Sequence, residues 1–88
     1  MSQTENETRQ ERNEQFAQQL LDSYFLFRSK LPQTGYIQEN KTTLQIQDEL
    51  VPMMALSTET VVGYMMDHDY NTTTEQDGSV VWAIWRQA

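Results

Sequence analysis

The chain has no cysteine, and so no disulfide, no thiolate nucleophile and no thiolate metal site. That absence fits a reducing compartment. Its three glycines are scattered, so no Gly-rich phosphate loop can be drawn, and neither a Cys–His pair nor a serine nucleophile motif occurs. No apolar run approaches the roughly 20 residues of a membrane span. The first residues, "MSQTENETRQERNEQ", lack the basic start and apolar middle of a signal peptide. Taken together, these absences predict a non-enzymatic cytoplasmic protein that needs no cofactor, membrane or small-molecule ligand.

Basic residues are also scarce: six against thirteen acids, a net charge of −7 over 88 residues. The imbalance is local. Residues 1–43 carry six acids and five bases, whereas residues 44–88 carry seven acids and the single base Arg86. Such a field repels a phosphate backbone and favours a basic partner or plain solubility.

What is present suffices for one modest core. With 38% hydrophobic residues and no Pro/Gly-rich linker, residues 13–88 are read as one small domain. Residues 1–12 are polar and expected to fray or stay disordered. Thr8 and Glu11 have capping-box spacing, and Glu5–Arg9 at i,i+4 could extend that helix backwards. From there Phe16, Leu20, Tyr24, Phe27 and Leu31 form an amphipathic stripe, widened by Leu21 and Phe25, predicting a long N-terminal helix that stops before Pro32.

"PQTGYIQENK" reads as a loop turning at Gly35. In "TTLQIQ", Leu44 and Ile46 alternate with glutamines, which predicts a short strand. "DELVPMMAL" predicts a short helix capped by Asp48, with Pro52 early in it. Ser57 should cap the next helix, with Glu59 in its first turn, Val61, Val62, Met65 and Met66 on its buried face, and an end near Asp69. Met53, Met54, Met65 and Met66 are read as core filler. His68, the only histidine, is read as interacting with that helix's C-terminal dipole; it and its flanking aspartates are consecutive and cannot all face one metal ion.

"DYNTTTEQDGSVVWAIW" predicts a β-hairpin with two candidate registers. A bare Asp77–Gly78 turn would place Tyr70, Thr72 and Thr74 on a face with Val81, Ala83 and Trp85. A three-residue loop with Gly78 left-handed places them instead with Val80, Trp82 and Ile84. The second register gathers the larger residues on one side and is preferred. It puts Trp82 in the core and Val81 and Trp85 on the opposite face. There either the first helix or the Tyr36–Ile37 loop covers them, or the four residues form a partner surface.

The order over "TTLQIQDELVPMMALSTETVVGYMMDHDYNTTTEQDGSVVWAIW" is strand, helix, tight turn, helix and hairpin. With the helix before it, this α+β arrangement (α-β-α-α-β-β, three helices and a C-terminal two-stranded hairpin) resembles the winged helix-turn-helix superfamily. "MMALSTETVVGYM" is similar to its turn-into-recognition-helix segment, and the last seventeen residues of the quoted stretch are similar to its wing. The resemblance implies a helix in the major groove, with Thr58 and Thr60 among the contacts, and a wing on phosphate. Arg28, Lys30 and Lys41 are the basic residues that could assist. Yet the corresponding helix offers Glu59 and Asp67, and the wing tip Glu75 and Asp77. The expected function is therefore a small acidic protein-interaction module, with self-association included. The alternatives are a dimeric nucleic-acid-associated transcriptional regulator, or an acidic DNA mimic that occupies a DNA-binding protein.

Overall fold

A computed structural model describes the backbone of residues 2–88 and the side chains from Arg12 onward. The architecture is α+β: three helices and antiparallel strands in two small sheets. In chain order the elements are α1 (Ser2–Tyr24), β1 (Arg28–Ser29), β2 (Tyr36–Gln38), α2 (Thr43–Leu50), α3 (Thr58–Asp67), β3 (Thr72–Thr74), β4 (Val80–Trp82) and β5 (Trp85–Gln87). The expected fraying of residues 1–12 and the Thr8–Glu11 box fall on side chains outside the described residues. No described helix is long and apolar enough to cross a membrane.

The first helix stops seven residues earlier than its stripe predicts. After Tyr24 the hydrogen bonds tighten to three-residue closures, Leu26 N–H to Ser23 and Arg28 N–H to Phe25. The Arg28 guanidinium donates to the freed Tyr24 carbonyl, satisfying one of the helix's last acceptors. Arg28 and Ser29 then pair with β5, which would otherwise present an open edge. Consequently Phe27 and Leu31 lie exposed, and the ridge that enters the core is Ala17, Leu21 and Phe25.

The segment from Thr42 is a helix, not a strand. Thr42 Oγ1 accepts from Gln45 N–H at 3.0 Å, while Gln45 Oε1 accepts from Thr42 N–H at 2.8 Å. This reciprocal box settles the ambiguity of a short apolar pattern, because Ile46 and Leu50 at i,i+4 are both buried. Leu44, the partner in the strand reading, is exposed. Asp48 therefore lies within α2 and caps nothing, and Pro52 follows the helix end. The strands between the first two helices are instead β1 and β2, the latter in the stretch read as a loop.

α3 follows its expected start. Ser57 Oγ accepts from Thr60 N–H at 3.1 Å, and His68 is the C-cap, its Nδ1 2.9 Å from the Tyr64 carbonyl. Its buried face is Val61, Tyr64 and Met65; Met66 points outward, as does Met53 in the preceding turn. The core-filler reading thus holds for Met65 and, half-buried, for Met54.

The hairpin adopts the preferred register, Thr72 opposite Trp82 and Thr74 opposite Val80. Gly78 sits at φ +91°, a left-handed geometry that L side chains resist, and its N–H bonds the Glu75 carbonyl at 3.0 Å. β4 ends at Trp82, but the chain goes on pairing. After Ala83 and Ile84 it resumes as β5, the centre of a three-stranded sheet ordered β1–β5–β2. Residues 36–41 run alongside its whole length: Tyr36 faces Gln87, Gln38 faces Trp85, Glu39 N–H bonds the Ile84 carbonyl, and Lys41 bridges Trp82. The two-stranded ribbon of the sequence reading is thus β3 and β4, and β5 beyond it belongs to a second sheet.

Candidate interaction surface

Three cations meet at one carboxylate on the three-stranded sheet. Arg28 pairs with Glu39 at 3.4 Å, Lys41 at 3.7 Å, and Arg86 closes on its other oxygen. Arg28 and Arg86 are directly opposed in β1 and β5, where like charges would repel without Glu39 beside them. Lys41 also binds Glu49 of α2 at 2.8 Å, and the Arg28 guanidinium lies over the Tyr24 ring at 4.1 Å. Lys30, the remaining member of the basic patch expected from the sequence, pairs with Asp69 at 3.6 Å. Every one of these four cations therefore has an internal carboxylate partner.

Of the residues expected at a partner surface, the structure gathers only some. Val81 is buried, so it belongs to no exposed patch. Trp85 is half-buried in the middle of the three-stranded sheet, and alternation puts it on the same face as Tyr36. Ile37, opposite Arg86, faces the other way. Thr58 is exposed, and its hydroxyl accepts from Gln47 Nε2; Thr60 Oγ1 lies 2.8 Å from Ser57 Oγ within the cap.

One hollow was invisible at the sequence level. A cleft of about 930 Å³ lies between α1, α3 and the turn that leads into α3. Ala17, Leu56 and Tyr64, all buried, contribute to its floor, and Glu14, Glu59 and Asp67 lie along it. No lysine, arginine or histidine lines it among the described residues. Gly63 of α3 is half-buried here.

Tyr64 anchors the helix pair beneath the cleft. Its ring stacks on Phe25 at 5.6 Å, and its hydroxyl donates to Asp22 on α1 at 2.8 Å. Burial, and next the Asp22 carboxylate, push its pKa well above the ordinary tyrosine value. Tyr24 shifts the same way through burial, opposed by Arg28 and reinforced by Glu49, and Tyr70 through burial. A raised folded-state pKa means stability is fully present below the unfolded value near 10 and is lost as pH climbs past it. In an alkaline titration, most phenolate absorbance should therefore emerge together with the loss of helical circular dichroism. Phenolate formation completed near pH 10 with native dichroism intact would contradict this burial.

No family model, curated protein or solved structure matches the chain.

Proposed function

We propose that the chain is a small, acidic, non-enzymatic protein-interaction module built on a winged-helix-type frame. Part of the element order supports the frame: a helix, two short strands, two helices joined by a turn and a hairpin, to which β5 is added as a further strand. Thr42 and Ser57 cap the paired helices, and Gln47 of the first holds the Leu56 carbonyl at the end of the turn.

One observation carries the choice of protein over nucleic acid. Arg28, Lys30, Lys41 and Arg86 pair with Glu39, Glu49 and Asp69 of the same chain, while α3 and the hairpin tip present Glu59, Asp67, Glu75 and Asp77. Duplex binders draw much of their affinity from Lys and Arg that displace phosphate counterions. To free Arg28, Lys41 and Arg86 for that purpose would leave Glu39 unpaired against the sheet.

The test is an amide-resolved NMR titration with mixed-sequence duplex DNA at low salt, where electrostatic binding is strongest. No saturable shift is expected at duplex concentrations on the order of 10⁻⁴ M, where even non-specific binders respond. Saturable shifts concentrated in residues 57–68 and at the hairpin tip would overturn the reading in favour of a DNA regulator.

A further inference from the structure

The cleft between α1 and α3 contains a residue that the fold itself does not require. Gly63 sits inside α3 with ordinary helical backbone, not in the left-handed region that favours glycine. A Cβ built there meets nothing within 4 Å, so no neighbour demands its smallness either. Glycine is among the poorest helix formers, and any larger residue would suit the isolated helix better. Its bare backbone leaves open space on the cleft side of α3.

Charge identifies the occupant. Glu14 rises from α1, and Glu59 and Asp67 stand on α3, one near each end, without an opposing cation along the cleft among its described lining. Between them the lining includes half-buried Met54 and exposed Ala55, with Ala17, Leu56 and Tyr64 buried. A mixed apolar and polar lining flanked by acids matches a third helix with one apolar face and basic flanks, the groove-binding mode of amphipathic helices. The same carboxylates would repel a duplex.

We infer that the α1–α3 cleft docks a cationic amphipathic helix of a partner protein, with Gly63 as the point of closest approach. This deepens the protein-binding reading and rests on it.

The probe is a synthetic peptide of about 18 residues, leucines at helical spacing and lysines elsewhere, with a glutamate-for-lysine counterpart as control. Added to the full chain, the lysine peptide should shift the amides of Ala17, Leu56, Gly63 and Tyr64, and the glutamate peptide should shift none of them. Gly63→Leu should weaken binding at least about tenfold while unfolding at no lower temperature than the parent. Asp67→Lys, which suits the C-terminal end of α3, should weaken binding and flatten its salt dependence.

Equal binding by Gly63→Leu, or shifts spread over the acidic surface away from the cleft, would overturn the inference by reducing the peptide to a general counterion. Absence of any binding would overturn it as well, as would concentration-dependent shifts at the cleft without peptide, which mark a second copy as occupant. None of these results would touch the broader protein-binding reading, whose failure shows only in the DNA titration.

Discussion

Trp82→Ala should remove about 3–5 kcal/mol of folding stability, a large part of the margin available to a domain this small. The indole is 8% exposed and belongs to the main core cluster. It also ties three elements together. Its Nε1–H donates to Thr43 Oγ1 at the start of α2, 2.9 Å away, and its backbone pairs with Thr72 on one side and Lys41 on the other. Alanine would open a cavity at the joint between the helices and the sheet and leave the Thr43 hydroxyl without this donor. Trp85→Ala should cost considerably less, because that ring is only half-buried in the three-stranded sheet. Urea unfolding of both variants decides the matter. If Trp85→Ala proves the more damaging, the central strand has its faces assigned the wrong way round.

That prediction draws on a part of the fold that was legible in advance. The hairpin register followed from two local facts, a glycine where the loop needs left-handed backbone and a better collection of large residues on one face. The Ser57 cap was equally local. The α2 region was misread because two patterns overlap within it. Leu44 and Ile46 alternate as in a strand, while Thr42 with Gln45, and Ile46 with Leu50, fit a capped helix. Reciprocal hydrogen bonds at the cap outweigh an alternation two apolar residues long. β2 lay hidden for a different reason: three residues beside a turn carry almost no periodicity, and their pairing with β5 spans about half the chain.

The candidate surface was less legible than the fold. Arg28, Glu39, Lys41 and Arg86 meet only because antiparallel pairing brings β5 between β1 and β2, so nothing in their spacing announces the cluster. Read along the chain, Arg28 and Lys41 resemble free surface bases; in the fold they neutralise a carboxylate against a sheet. The cleft was hidden likewise. Gly63 carries a signal as an unneeded helix glycine, but its open surroundings emerge only when α1 lies across α3.

The packing of α1 supplies the second large effect. Leu21→Ala should cost about 2–5 kcal/mol, whereas Phe27→Ala should stay within about 1 kcal/mol despite the larger side chain removed. Leu21 is fully buried, and with Ala17 and Phe25 it forms the ridge by which α1 meets the core. Phe27, by contrast, is 63% exposed beyond the helix end. A stripe drawn through Phe16, Leu20, Tyr24, Phe27 and Leu31 would rank the two variants the other way. The structure turns the helix so that Leu20 and Tyr24 flank the buried ridge and Phe16 lies outside it. Thermal or urea melts of the pair therefore test the rotation of α1 about its axis. The same rotation brings Ala17 to the floor of the cleft and Asp22 to the Tyr64 hydroxyl. A melt in which Phe27→Ala proved the more costly would move Ala17 and Asp22 away from α3 and dissolve the cleft with them.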